Sequence, residues 1–101
     1  MSNWYLYSVR CNDGSLYTGI TTDVERRLRE HRDGGTRGAS YLRGRSPLDL
    51  VFSQQLADRA SASRAEFAVK QLGKTRKEML AAGLVTLVQI VSERRRRPAG
   101  S

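Results

Sequence analysis

The sequence predicts a single α+β domain with a strand-rich opening followed by helical segments. Residues 4–10 and 16–20 are rich in bulky aromatic and aliphatic side chains, and they flank the turn sequence Asn12-Asp13-Gly14-Ser15. Two such runs around a Gly-containing turn are typical of a β-hairpin. A chain of 101 residues has room for one ordinary core. We expect that domain to cover residues 1–93.

The length of the hairpin loop decides which tyrosines share a face of the sheet, because side chains alternate along a strand. A two-residue turn at Asp13-Gly14 would put Tyr7 and Tyr17 on opposite faces. A three-residue loop, or a bulge at Gly14, would place Tyr5, Tyr7 and Tyr17 together. If the tyrosines serve one site, we expect the odd-length loop.

A helix is predicted directly after the hairpin. Thr22 and Glu25 have the spacing of a capping box, in which Thr22 caps the helix and Glu25 reaches back. We expect the helix to end near Arg32, before two glycines. Arg27 and His31 are four residues apart, so they lie on one flank of this helix.

A third strand and a second helix follow. Residues 48–56 begin with an apolar run, which favours a central position in a small sheet. Either Asp58 or Ser61 then caps a helix that runs to about Leu72. Phe67 points away from the apolar stripe of that helix and has no predicted role, although a C-terminal segment would be one way to cover it.

The C-terminal part combines a short helix, a further strand and a basic end. Residues 75–82 predict the helix, and residues 84–91, which are rich in β-branched side chains, predict a possible extra strand at the sheet edge. Residues 94–101 begin with four arginines and end with small residues, which predicts a basic flexible tail.

The charge of the chain indicates a polyanionic partner. The formal net charge is +8, from 18 Lys and Arg against 10 Asp and Glu. Such a surface favours nucleic acid ahead of a membrane, although charges can also simply keep a protein in solution. The candidate nucleic-acid-binding residues lie in the Gly-rich loop 34–47 and in the tail: Arg37, Tyr41, Arg43, Arg45, Arg94, Arg95, Arg96 and Arg97. Tyr41 would stack on a base or pack within the loop.

Cysteine content and hydropathy favour a cytoplasmic protein. Cys11 is the single cysteine, so neither an internal disulfide nor a cysteine-based zinc site is expected. The sequence contains no apolar run long enough to cross a bilayer and no signal-peptide core at its start.

Six residues have side chains suited to phosphodiester cleavage: Tyr5, Tyr7, Tyr17, Arg27, His31 and Glu66. Glu66 would hold one Mg²⁺ or Mn²⁺, and Arg27 would neutralise charge on the phosphate. A tyrosine or His31 would position or deprotonate the attacking water. Each residue also has a structural interpretation, since strand tyrosines commonly pack and helical Glu and Arg commonly form surface pairs.

The order of these residues resembles the GIY-YIG nuclease superfamily. That superfamily is named for two tripeptides on neighbouring strands. Here Tyr5-Leu6-Tyr7 is at the place of the first and Tyr17-Thr18-Gly19 at that of the second, and Arg27, His31 and Glu66 follow. The segments YTGITTDVERRLREH and RAEFAVKQLGK are similar to the small, single-domain bacterial members, over about residues 3–80. The resemblance implies a three-stranded antiparallel sheet flanked by helices and a nuclease that depends on a divalent metal.

The resemblance also implies roles for individual residues. Tyr7 and Tyr17 match tyrosines of the two tripeptides, and either is a candidate general base. Arg27 matches the family's arginine, and His31 a position held by histidine or tyrosine. Glu66 matches the metal-binding glutamate.

Two departures from the family pattern bear on function. Tyr5 stands where the first tripeptide usually has Gly, and no Asn follows Asn12 to hold the departing strand as in some relatives. The resemblance implies a DNA endonuclease of low sequence specificity, structure-selective and acting in repair or recombination. A nucleic-acid-binding module with little or no catalysis is the alternative, an adaptor for a repair partner is a third hypothesis, and an RNA substrate stays open.

Overall fold

A computed structural model of the chain describes residues 3–33 and 48–96. The elements follow in the order β1 (Trp4–Arg10), β2 (Leu16–Thr21), α1 (Val24–Asp33), β3 (Asp49–Leu56), α2 (Arg59–Lys70), α3 (Lys74–Ala81) and α4 (Leu87–Arg96). The three strands form one antiparallel sheet in the order β2-β1-β3. The expected α+β fold with a small three-stranded antiparallel sheet is therefore confirmed.

The central strand is β1, so the prediction of a central position for residues 48–56 was wrong. Four consecutive residues of β1, from Leu6 to Val9, are buried, which is the pattern of a strand covered on both faces. In β3, by contrast, exposed positions recur along the strand, as Asp49, Leu50, Ser53 and Gln55 show. The apolar start of β3 packs at one edge of the sheet.

The loop of the hairpin has three residues, as predicted for a shared tyrosine face. Cys11 N donates to Ser15 O at 2.9 Å, and Gly14 N donates to Cys11 O at 2.9 Å. Gly14 has a φ of 85°, the left-handed conformation that favours glycine. With Cys11 opposite Ser15, residues 12–14 form the loop and the register continues regularly into both strands.

Two separate cores lie on the two faces of the sheet. The first contains Tyr7 and Val9 of β1 together with Leu28 of α1. The second contains Leu6 of β1 and the buried residues of α2, α3 and α4, which are Ala65, Ala68, Val69, Leu80, Leu87 and Ile90. Because Leu6 and Tyr7 are neighbours on one strand, α1 covers one face of the sheet and α2 the other.

The cap of α1 is Asp23, so the prediction of Thr22 was wrong. Arg26 N donates to Asp23 Oδ1 at 3.1 Å, and Asp23 N donates to the Thr21 hydroxyl at 3.1 Å. The hydroxyl of Thr21 holds the turn that places Asp23 at the cap position, and Thr22 is left exposed. For α2, the cap is Asp58, which accepts from Ser61 N at 2.8 Å.

The predicted C-terminal strand is a helix, α4. Thr86 and Gln89 form a reciprocal capping box, in which Gln89 N donates to the Thr86 hydroxyl at 3.1 Å and Thr86 N donates to Gln89 Oε1 at 2.8 Å. Leu87 and Ile90 then lie three residues apart on the buried side of the helix. This cap and spacing outweigh the β-branched composition.

Because α4 ends at Arg96, three arginines of the predicted tail lie in a helix. Among the residues that the structure describes, no helix is long and apolar enough to cross a membrane.

Candidate active site

Tyr7 is the centre of an aromatic cluster between β1, β2 and α1. Its side chain is 1% exposed, and its hydroxyl lies 2.9 Å from His31 Nε2. The ring centroid of Tyr17 lies 6.5 Å from that of Tyr7 and 5.8 Å from that of His31. Tyr7 and Tyr17 thus share one face of the sheet, and the last turn of α1 brings His31 against both rings.

Gly19 makes room for the Tyr7 side chain. It stands directly opposite Tyr7 in the β1–β2 ladder. A Cβ atom on Gly19 would lie 2.6 Å from Tyr7 Oη and 2.8 Å from Tyr7 Cζ. The tyrosine ring therefore crosses over Gly19 towards β2, an edge strand of the sheet. No separate role was predicted for Gly19, although the pairing of Tyr7 with position 19 in an odd-loop hairpin was the signal for it.

Arg27 presents a charged guanidinium to the Tyr7 hydroxyl. It hydrogen-bonds to Tyr7 and donates from Nη1 to Glu30 Oε1 at 3.2 Å. Burial by itself would lower the pKa of Arg27, but the bonds to Glu30 and Tyr7 outweigh it and raise that pKa. The guanidinium consequently stays charged beside the Tyr7 hydroxyl.

The protonation states of Tyr7 and His31 are complementary. Burial, followed by the nearby Tyr17 and Glu66, raises the pKa of Tyr7 to about 12 against the opposing effect of Arg27. Burial and the charge of Arg27 lower the pKa of His31. At neutral pH Tyr7 is therefore a phenol and His31 a neutral imidazole, so the hydroxyl can donate to Nε2 when that nitrogen carries no proton.

Glu66 approaches this cluster from α2, the helix on the other face of the sheet. Its side chain is 26% exposed and its Oε2 lies 3.2 Å from Lys70 Nζ. Lys70 in turn lies 5.9 Å from the ring centroid of Tyr17, and the charge of Glu66 raises the pKa of Tyr7. Because β2 is an edge strand, side chains from α2 can reach the tyrosines around that edge. The position of Glu66 on the opposite-face helix does not separate it from the cluster.

Tyr5 lies apart from the other candidates. It shares the sheet face of Tyr7, but it pairs with Thr21 and lines a cavity of about 360 Å³ beside the start of α1. The structure thus brings together Tyr7, Tyr17, Arg27 and His31. Glu66 is linked to them through Lys70, and Tyr5 lies at the first turn of α1.

Among the described residues, Glu66 suits a divalent ion whose other ligands are water and the substrate phosphate. Residues 3–33 and 48–96 contain no cluster of three His, Cys, Asp or Glu side chains placed to hold a metal. Mg²⁺ commonly binds through one or two carboxylates, several waters and substrate phosphates. Glu66 is a half-buried carboxylate beside the cluster and fits this role. Lys70 competes for the same oxygens.

Most predicted nucleic-acid-binding residues lie outside the part of the chain that the structure describes, namely Arg37, Tyr41, Arg43, Arg45 and Arg97. Arg95 and Arg96 belong to α4. Arg94 lies in the same helix, and its guanidinium carbon is 4.5 Å from the ring centroid of Phe67. The expectation that a C-terminal segment covers part of Phe67 is therefore confirmed for Arg94.

Comparisons with known proteins bear on the family of this chain. Residues 3–79 match the family model described as the GIY-YIG catalytic domain. A UPF0213 protein of Cronobacter sakazakii is 53% identical over 82% of this chain and 85% of its own length. The UPF0213 protein YhbQ of Escherichia coli is 50% identical over 91% of this chain and 90% of its own length.

Two proteins with solution NMR structures are also similar. The UPF0213 protein of Bacillus halodurans shares 45% identity with a TM-score of 0.52, over 79% of this chain and 83% of that one. A protein of E. faecalis shares 34% identity with a TM-score of 0.59, over 83% of this chain and 88% of that one.

Proposed function

The chain belongs to the GIY-YIG family, and from that premise we propose that it is a DNA endonuclease dependent on Mg²⁺ or Mn²⁺. Membership implies a nuclease-type function on nucleic acid. We propose further that it hydrolyses phosphodiester bonds with low sequence specificity, selects DNA by structure and acts in repair or recombination. The observation that supports catalysis is the Tyr7 hydroxyl, which lies 2.9 Å from His31 Nε2, bonds to Arg27 and is within reach of the charge of Glu66.

Tyr7 and His31 would together take the proton of the attacking water. Tyr7 Oη accepts that proton while its own proton passes to His31 Nε2, so the water becomes a hydroxide that attacks phosphorus and His31 becomes an imidazolium. A phenol with a pKa of about 12 is a poor base when it must ionise first. Concerted transfer to a neutral imidazole avoids a free phenolate, and the lowered pKa of His31 keeps that imidazole neutral.

Arg27 and Glu66 would handle the charge that develops on the phosphate. Arg27 stays protonated and offers guanidinium hydrogen bonds to the phosphate oxygens. Glu66 would hold the ion, which when bound polarises a phosphoryl oxygen and stabilises the leaving oxygen. Tyr17 packs against His31 and holds the imidazole in place beside Tyr7.

Affinity for DNA would come mainly from arginines on phosphates. We propose that Arg37, Arg43, Arg45 and the arginines of residues 94–97 supply these contacts, with Tyr41 available for stacking. Binding of this kind falls steeply with salt and carries little sequence information.

A cleavage assay with matched variants tests the proposal. Supercoiled plasmid and branched oligonucleotides are incubated with the protein, with and without Mg²⁺ or Mn²⁺. We expect metal-dependent cutting that falls by about 10²- to 10⁴-fold in Glu66→Gln, Arg27→Ala and Tyr7→Phe. Glu25→Gln is the matched control, because Glu25 is an exposed carboxylate in the first turn of α1. Cutting that survives in all three site variants would contradict the assignment.

One contact favours the second candidate, a binding module without catalysis. Lys70 Nζ lies 3.2 Å from the Glu66 carboxylate, so the ammonium group would compete with an ion for that carboxylate. If the Lys70–Glu66 pair prevents metal binding, the protein shifts the DNA band in a gel without cutting the DNA. Glu66→Gln should then leave the shift unchanged. In the nuclease, Lys70→Ala would instead lower the metal concentration needed for cutting.

The pH dependence of cutting tests the proton transfer separately. Because the pKa of His31 is lowered from 6.5, activity should rise as pH increases through a value below 6.5. It should then remain level while Tyr7, whose pKa is about 12, keeps its proton. His31→Gln keeps an acceptor for Tyr7 but cannot titrate, so the acid limb should disappear. An unchanged acid limb in this variant would assign the titration to another group.

A further inference from the structure

Phe67 is an exposed aromatic residue that the catalytic cluster does not use. It is 54% exposed on α2, and Arg94 of α4 lies over its ring at 4.5 Å. The two residues line a groove of about 350 Å³ between the helices, together with Ser63, Arg64, Ala68 and Val91. Apolar side chains rimmed by charged ones, as Phe67 and Val91 are by the two arginines, are typical of a binding surface.

The charges around Phe67 favour a polyanion as the occupant of this groove. Within the described residues, neither Arg64 nor Arg94 forms an ion pair with a carboxylate, and Arg64 donates only to the Ser61 hydroxyl at 3.3 Å. An aromatic ring and guanidinium planes are the groups on which unpaired bases stack, while arginines also bind phosphates. A second copy of the chain would bring like charges together on the same surface, which opposes self-association.

The groove adjoins the proposed active site along α2. The link is Lys70, which lies three residues after Phe67 on the same side of the helix and forms an ion pair with Glu66. A nucleic-acid strand with its phosphate near Glu66 can therefore place a neighbouring nucleotide over Phe67. Double-stranded DNA offers no free base face for such stacking, whereas a single-stranded segment does.

Building on the nuclease function proposed above, we propose that Phe67, Arg94 and Arg64 bind an unpaired nucleotide of the substrate next to the cleavage site. The base stacks on the Phe67–Arg94 pair, and the flanking phosphate binds Arg64. The favoured substrates are then nucleic acids with a single-stranded segment beside the cut, such as flaps, gaps or branches, rather than continuous duplex.

Equilibrium binding without metal tests this site independently of catalysis. A single-stranded oligonucleotide containing 2-aminopurine and the matched duplex are titrated in EDTA, with anisotropy and 2-aminopurine quenching as readouts. Phe67→Ala should weaken single-strand binding by about 5- to 150-fold and abolish the quenching. Duplex binding should stay within about twofold, and Phe67→Trp should restore both signals. Arg64→Ala should lower the salt slope by about 0.7 for each single-strand phosphate that it neutralises.

Leu84→Ala is the matched control. Leu84 is 71% exposed and lies before α4, outside the groove. Its truncation should therefore leave the binding of both the single strand and the duplex unchanged. Thermal melts of every variant exclude unfolding as the cause of a loss. Equal losses for single strand and duplex would overturn the proposal, and so would no loss in Phe67→Ala. Sedimentation showing a dimer that Phe67→Ala dissociates would assign the surface to self-association instead.

The two proposals fail in different ways. Phe67-dependent stacking in a protein that never cuts would refute catalysis and leave the nucleotide site intact. Metal-dependent cutting of branched and continuous DNA at equal rates, unaffected by Phe67→Ala, would overturn the nucleotide site and the structure selectivity. It would leave the metal-dependent nuclease activity standing.

Discussion

Gly19→Ala tests the closest contact in the candidate site. The added methyl would lie 2.6 Å from Tyr7 Oη, whereas ordinary contacts begin at 3.4 Å. The hydroxyl must therefore move by about 0.8 Å, and Tyr7 is buried, so its ring has little space to do so. A movement of that size is enough to break the 2.9 Å bond to His31.

The expected cost has two parts. Overpacking of a buried ring costs about 1–3 kcal/mol. Loss of one buried hydrogen bond adds about 0.5–1.5 kcal/mol. We therefore expect Gly19→Ala to lower the free energy of unfolding by about 1.5–4.5 kcal/mol and Tm by at least about 6 °C.

Chemical denaturation of single and double variants provides the assay. Gly73→Ala is the control, because Gly73 has open space around its Cβ position and a φ of −69°, and we expect a change within about 0.5 kcal/mol. Tyr7→Leu removes the ring atoms that the new methyl would contact. In that background, Gly19→Ala should change the free energy of unfolding little. Full additivity of Gly19→Ala and Tyr7→Leu would refute the close-approach reasoning, and so would a Gly19→Ala cost below about 0.5 kcal/mol.

Two further predictions concern the elements that hold the site. Asp23→Ala should lower the free energy of unfolding by about 1 kcal/mol through loss of the α1 cap, while Thr22→Ala should change it little; equal effects in denaturant titrations would contradict the cap assignment. Arg10 holds the pKa of Glu78 below its ordinary 4.5 through hydrogen bonds at 2.6 and 2.8 Å. This stabilisation is present above pH 4.5 and is lost as pH falls through the lowered pKa, so acid titrations of Tm for wild type and Glu78→Gln should converge at low pH. If the two plots of Tm against pH stay parallel, the Arg10–Glu78 pair does not contribute this stabilisation.

The first half of the chain was predictable because local signals there agree. The turn and the strands left two registers open, and the requirement for a shared tyrosine face selected the one that the structure has. Parity arguments of this kind depend only on strand geometry. Helical spacing placed His31 on the same flank of α1 as Arg27. Its 2.9 Å contact with Tyr7 depends on how α1 packs against the sheet, which local sequence patterns do not determine.

The secondary structure of the second half was harder to predict, because composition there favours a strand while the capping residues favour a helix. Leu84 to Val91 is rich in β-branched side chains, yet the capping box of Thr86 and Gln89 and the core contacts of Leu87 make a helix from position 87 onwards. Sheet order is also a long-range property, so the edge position of β3 could not be read from its composition. Pairing partners outside the strand itself decide which strand is central.

Leu6 and Tyr7 lie on opposite faces of the sheet, and this limits the insertions and deletions that β1 can tolerate. Leu6 contributes to the core under α2, whereas Tyr7 contributes its hydroxyl to the other face. A one-residue insertion or deletion within β1 would exchange the two faces for every residue beyond it, burying the wrong side chains and removing the hydroxyl in a single event. Substitutions can be accepted one at a time, but changes of length in this strand cannot. We expect natural variants to conserve the spacing within β1 even where its residues differ.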